Sequence, residues 1–512
     1  MELSNNGDLI NELRQYFPAD TPENDMIELF SNREMFNEYL AQLELHYSDL
    51  QQQYNVYEEC FQPILSQTLE SIWMILLFSL LLRFFSLLRP PPIFIHCLSV
   101  CLGCCLLFKF FDYDMIYVIT PCIFLFLLVQ LDKKGVLVIV YAAAYLVICE
   151  FYLLDSVVWT KIKGSVMISF MNAISFTLQV SKSGEVSFLE FYGYILNPST
   201  IIFGPFLTYD DYQQIIIAHP LSLSWLLNSL KCLIISLLCV LWSSCGISYY
   251  LPMLENYIPA LKNNSWWEAY KTAQSFRFSH YFVCYISESA CLFAGISIIV
   301  TNENNIAIKK ETKKDIKNTK ENESTKRIVW SHSVARMIQI ELPRSLVDVV
   351  TNWNLPHHYW LKQYIFKPVR RFGVLPAILI TYIASSFLHS LNFQLSAVLL
   401  SIGLFAYVES VFRNFVAVLL SACVEARKCQ PGCNHVHKKN TVWVMMLNVF
   451  FTITALWNLS YLGCLFDNGG EEEKGYSLHH TIKKWQSYGF LNHFVMLLIF
   501  AINWFCNIFH SF

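Results

Sequence analysis

Charge is scarce in this chain: 15% of its 512 residues are charged, against 55% hydrophobic and 16% aromatic, with a mean hydropathy of +0.40. Soluble domains carry about 25% charged residues. So little charge excludes an ordinary soluble fold, and at a net charge of −3 no nucleic-acid partner is expected. The first 60 residues show neither a basic start nor an apolar leader core, so targeting is expected to fall to the first span. They hold 13 acidic residues against Arg14 and Arg33, a net −11 beside +8 for the remainder. We read 1–60 as an acidic soluble segment ahead of a polytopic domain over 61–512. No inverted or parallel repeat relates the two halves, which argues against a transporter. The 17 cysteines do not form a disulfide framework, since many lie inside apolar runs, such as Cys97, Cys101, Cys104 and Cys105 in HCLSVCLGCCLLF.

Long apolar runs are abundant, and they predict an all-α membrane bundle of about ten to twelve spans with re-entrant or amphipathic elements. Candidate spans cover 64–88, 93–111, 115–131, 136–154, 225–251, 279–300, 374–391, 394–422, 441–466 and 488–508. Two weaker ones, 164–181 and 191–208, are interrupted by Asn172, Pro198, Gly204 and Pro205. Residues 301–328, with 8 basic and 5 acidic side chains, read as a flexible loop. Residues 340–367 are amphipathic, carrying Glu341, Arg344, Asp348, Asn352, Asn354 and the pair His357-His358. Basic clusters at 309–327, 362–371 and 427–439 place those segments in the cytosol. On that topology 374–391 and 394–422 form a hairpin turning at Leu391-Asn392-Phe393 on the far side, whereas 340–367 enters and returns without crossing.

His389, in FLHSLNF, lies near the far end of its span among apolar neighbours. An ionisable group there marks a pathway or a reacting centre, unless it simply bonds a neighbouring helix. Asn354, in TNWNLPHHYWL, stands 35 residues upstream and reaches the same interior from the cytosolic face. An amphipathic segment with an Asn, followed some tens of residues later by a His in an apolar helix, resembles the membrane-bound O-acyltransferase superfamily. The blocks ELPRSLVDVVTNWNLPHHYWLKQYIFKPVRRFG and ITYIASSFLHSLNFQLSAVLLSIGLFAYVE are similar to its branch that acylates a serine of Wnt proteins, and the likeness extends over about residues 65–510.

That resemblance implies an enzyme of the endoplasmic reticulum membrane, with membrane lipids around it, which transfers palmitoleoyl from its coenzyme A thioester to a Wnt serine. Acyl-CoA is then a co-substrate, and no cofactor is expected. His389 is the expected general base, because a serine hydroxyl needs one at neutral pH. Asn354 is expected to orient the thioester or to bond the developing oxyanion. Substrate contacts are expected from Trp353, Arg344 and Ser386, and phosphate contacts from Arg344, Lys362, Arg370, Arg371 or one of His357 and His358. The same basic residues serve equally well as interfacial anchors. A lipid acceptor in place of a protein serine is the alternative within the superfamily. Cys429, Cys433, His435 and His437 offer four ligand types, but the spacing is tight for zinc, and no metal site is assigned: the loop reads as one of free or lipidated thiols.

Overall fold

The computed structural model describes residues 56–510 apart from 133, 181–186, 297, 301–326, 390–391, 431 and 468–477. Most of the acidic segment and of the 301–328 loop, together with Leu391 of the expected turn, therefore lies outside the described residues. Thr68–Phe512 forms one compact unit.

The all-α expectation holds. Among the described residues the only strands are Ile298–Val300 and Arg327–Val329, paired antiparallel with Ile299 opposite Ile328. Among the described residues, six helical stretches are long and apolar enough to cross a membrane: Tyr57–Leu87, Pro92–Leu131, Val136–Leu153, Leu223–Tyr257, Phe393–Leu419 and Val442–Gly463. Pro92–Leu131 is two helices of 20 and 16 residues, because Asp112 at φ 50° turns the chain between them. Leu478–Ser487 and Leu491–Cys506 meet the same test only together, bent by 76°. The expected ten to twelve spans are approached only by adding Ser156–Val180 and Ser265–Phe293, which are long but more polar, and Val374–Leu388, apolar but 15 residues, about 22 Å.

Two of the expected spans are placed differently. Ser156–Val180 is one 25-residue helix that absorbs Asn172 without breaking. Over 191–208, in contrast, helix persists only through Phe188–Ile195. From Phe191 to Leu207 every residue but Phe203 is buried, although the backbone beyond Leu196 is irregular. Such backbone survives at membrane depth only where protein groups satisfy it. Asn197 does so through its Oδ1, which accepts from Ser199 N (3.1 Å) and Oγ (3.0 Å), and the Tyr194 hydroxyl donates to Leu207 O.

The 340–367 segment resolves into Met337–Glu341 and Leu346–Asn352, helices of 5 and 7 residues, and Leu355–Leu361, which runs on without a break through Lys362–Phe366 to Lys367–Val369. The first two are about 10 Å long or less, and the continuous helix 355–369 is about 22 Å, against roughly 30 Å of hydrocarbon. It bridges two apolar cores. Leu346 and Val349 sit in one, with Phe405, Leu459 and Tyr461. Trp360 and Leu361 sit in the other, with Met171, Phe176 and Leu388. Trp360 Nε1 also donates to Met171 O at 3.1 Å, and the Tyr364 and Ser175 hydroxyls share a bond at 2.8 Å.

The start of this segment is locked by an ion pair between buried Arg277 and half-buried Glu341. Arg277 Nε and a terminal nitrogen donate to the two oxygens of Glu341 at 2.8 and 3.0 Å, and Tyr281 donates to the same carboxylate at 2.8 Å. Removing one partner leaves the other charge buried and alone. Glu341→Ala is therefore expected to cost about 3–5 kcal/mol, read as a fall in the thermal midpoint of the detergent-solubilised protein. An unchanged midpoint would show that water already screens the pair.

Candidate active site

The junction between Asn352 and Leu355 is where the sequence places its most specific motif, and local chemistry makes the break there. Asn354 has extended φ/ψ (−147°, 95°), and its Oδ1 accepts from His357 N at 3.0 Å, capping Leu355–Leu361. Pro356 follows in the first turn, where a missing N–H costs nothing. The junction is pinned from outside by Leu355 N to Val334 O (2.8 Å) and Arg336 N to Asn352 O (3.1 Å). Asn352 turns its amide back onto Asp348 O at 2.8 Å, which separates its role from that of Asn354.

The cap aims His357 at the apolar helix that carries His389. The two imidazoles lie 5.2 Å apart between centroids, inclined at 45°. His357 Nε2 is 3.3 Å from Ser385 Oγ, and the Ser385 carbonyl accepts from His389 N at 3.0 Å. His389 is the residue at which the helix Val374–Leu388 ends. Its ring makes no hydrogen bond among the described residues. Trp353 stacks on His280 of Ser265–Phe293 at 4.7 Å and 15°, and His280 Nε2 donates to Trp353 O at 3.1 Å. A carbonyl can only accept, which puts the His280 proton on Nε2.

Asn354 and His389 are thus brought to one centre through His357, with Trp353 beside them. Two other expected substrate contacts are engaged elsewhere. Arg344 donates to the carbonyls of Glu425 (3.0 Å) and Cys423 (2.8 Å), and so braces a loop. Ser386 bonds back to Tyr382 O at 2.9 Å, whereas Ser385, about 100° round the helix, meets His357. Lys362, Arg370 and Arg371 are exposed. The residues that sequence reasoning undervalued are His357, Ser385 and His280. For His357 a signal existed: the three-residue step from Asn354 is the spacing of a cap to the N–H it binds.

Residues 106–453 match the sequence model of MBOAT, the membrane-bound O-acyltransferase family. The chain is 35% identical over 460 residues to the protein-serine O-palmitoleoyltransferase porcupine of Mus musculus, covering 85% of this chain and 94% of that protein. It is 35% identical over 457 residues to the Homo sapiens protein of the same name, with the same shares. Identity to the Anopheles gambiae protein of that name is 32% over 391 residues, or 72% of this chain and 73% of that one.

The cap makes a prediction independent of catalysis. Asn354→Ala is expected to destabilise the fold by about 1 kcal/mol, while Asn354→Asp, an equally good cap, changes stability little. Thermal midpoints of the two variants in one detergent check this, and equal losses in both would show that the Oδ1 bond to His357 is not what holds the junction.

Proposed function

The chain belongs to the membrane-bound O-acyltransferase family, and we propose that it transfers a palmitoleoyl group from palmitoleoyl-CoA to a serine of a Wnt protein at the endoplasmic reticulum membrane. It is a multi-pass membrane O-acyltransferase, and the reading of donor and acceptor rests on its relatives. The observation that carries it is coverage: a protein-serine O-palmitoleoyltransferase is matched over 94% of its length, so the likeness reaches well beyond the family motif. The geometry fits serine acylation. His389 accepts the proton of the acceptor hydroxyl as its oxygen attacks the thioester carbonyl carbon. The tetrahedral adduct then collapses with loss of the coenzyme A sulfur, which takes up the proton.

The other side chains position this step. Asn354 has committed its Oδ1 to the cap, which leaves its amide N–H groups as the part able to donate to the thioester oxygen. Ser385 fixes the His357 ring against that of His389. Trp353, held face-on by His280, forms a rigid wall for the substrates, whereas Arg344 and Ser386 act as braces. Exposed Lys362, Arg370 and Arg371 offer cationic charge to the coenzyme A phosphates.

The test supplies the purified chain with labelled palmitoleoyl-CoA and offers a Wnt peptide bearing its serine in competition with phospholipid and sterol acceptors. Label on the peptide serine is expected, and label on lipid alone would replace this reading with the lipid-acceptor alternative. In the same assay His389→Ala is expected to lower transfer by about 10²–10⁴-fold, with acyl-CoA binding retained because the lost group acts in the transition state. Near-normal transfer by a well-folded variant would take the base role away from His389.

A further inference from the structure

Beyond the end of Phe393–Leu419 the chain runs as a loop to Val442, with no helix and no ladder beyond a single bridge, Ala422 to His437, among its described residues. A loop of that length without its own structure needs something to hold it. Four ligand-type side chains converge inside it. Cys423 Sγ lies 3.5 Å from Cys433 Sγ and 3.8 Å from His435 Nδ1, Cys429 Sγ lies 3.7 Å from the same nitrogen, and all four atoms fall within 4.8 Å of one another. The edges of a tetrahedron with zinc–sulfur bonds of about 2.3 Å and a zinc–nitrogen bond of about 2.0 Å are roughly 3.5–3.8 Å. We propose that Cys423, Cys429, Cys433 and His435 form a closed, structural zinc site.

This set differs from the one that spacing suggests. Cys429, Cys433, His435 and His437 are crowded into nine residues, and His437 is excluded by the fold. Its backbone pairs with Ser421 and Cys423 at 3.0 Å each, and its ring packs edge-on against Trp443 at 5.0 Å. The fourth ligand comes instead from Cys423, just past the helix, where Ser421 at φ 44° turns the chain back. That supplies the separated element a compact knuckle lacks. Gly432 at φ 87°, between Cys429 and Cys433, makes the turn that brings both thiols to one side.

The surroundings suit a metal-bound thiolate cluster. With Nδ1 facing the metal, the His435 Nε2–H faces Glu425 Oε1 at 3.7 Å, the outer carboxylate that commonly fixes a ligating imidazole. Lys438 Nζ lies 3.7 Å from Cys433 Sγ and also bonds the Cys433 carbonyl, placing a positive charge beside three thiolates whose sum exceeds that of one divalent ion. A disulfide between Cys423 and Cys433 accounts for only two of the four groups. The basic flank of this loop also places it in the cytosol, where thiols stay reduced.

The site also has a consequence for the catalytic segment. The carbonyls of Cys423, Val424, Glu425 and Ala426 accept from Arg344, Arg413 and Ser345, so fixing the loop fixes the start of the helix that leads to Trp353 and Asn354.

The test is elemental analysis of the full chain, purified in detergent under reducing conditions and washed with EDTA. About one zinc per chain is expected. His437→Ala should keep the metal, and Cys429→Ser with Cys433→Ser should lose it. Because the double variant can fail to fold, the parent protein carries a second measurement. Zinc displaced by a mercurial should appear in a metallochromic dye, and cobalt(II) in its place should give the thiolate-to-metal charge-transfer bands and intense visible bands of a tetrahedral centre. Metal-free, monodisperse parent protein, a Cys423–Cys433 disulfide found by mass spectrometry, or zinc that depends on His437 would each overturn the proposal.

Discussion

A membrane interior tolerates broken backbone only where each exposed N–H and C=O finds a protein partner, and that constraint shapes the region around the site. The segment from Met337 to Leu361 is interrupted twice, and each interruption is closed by side chains chosen for the purpose. Ser345 caps one short helix, while its first free N–H, on Leu346, reaches the buried carboxylate of Glu409 at 2.7 Å. Asn354 caps the next. Glu409 is held in turn by Arg413, four residues on along the same long helix, at 3.2 Å. Arg413 is fully buried and spreads its donors over Arg344 O, Val424 O, Glu425 O and the Asn448 side chain. One guanidinium thus ties the long helix, the loop after it and the segment from Met337 to Leu361 together. Its planar fork suits three backbone carbonyls in a way that a lysine's compact ammonium does not.

The position of His389 follows from the same constraint. An apolar helix cannot present an imidazole from its middle without desolvating it, but at its end the ring escapes the helix lattice. His389 closes Val374–Leu388 through its backbone, and its side chain remains uncommitted among the described residues. His357 arrives from the opposite direction, on a helix whose first free N–H groups would need a cap wherever it began. The cap is Asn354. A single side chain therefore begins the helix and aims His357. This explains why the residue must be small, polar and able to accept a bond from three positions on, independently of anything it does to the acyl group.

His389 stood out in the sequence as an ionisable group in an apolar run, and Asn354 through its place after Trp353 in a motif that resembles the family's. The all-α architecture was legible for the converse reason, that apolar runs of span length have few other uses. What escaped reading depended on direction rather than composition. Ser385 and Ser386 are adjacent and chemically identical, and only the helical phase decides which of them faces His357. Arg344 has the charge for a phosphate, yet carbonyls brought from about 80 residues downstream occupy it first. The run over 191–208 has the apolarity of a span, but Asn197 and Tyr194 satisfy its backbone from within and allow it to fold as buried irregular chain. Cys423 was invisible as a ligand because it reads as the tail of a span, and no spacing rule links it to a knuckle six residues further on.

Among the described residues the thiol cluster and the start of the helix leading to the histidine pair are joined by a chain of hydrogen bonds through buried side chains. From Cys423 and Glu425 the bonds run to Arg344, from Arg344 O to Arg413, from Arg413 to Glu409, and from Glu409 to the first turn of the helix that ends at Trp353. Every link uses an ionised group or a helix-terminal N–H, the partners whose loss costs most when buried. The near end of this loop packs Ala422, Cys423 and Val424 against Ala417 and Val444, with Cys429 and Cys433 on the same cluster. The far end, with Arg427, Lys428, Asn434, Lys438 and Lys439, is polar, and there the four converging ligands give the loop a shape that apolar packing alone does not supply.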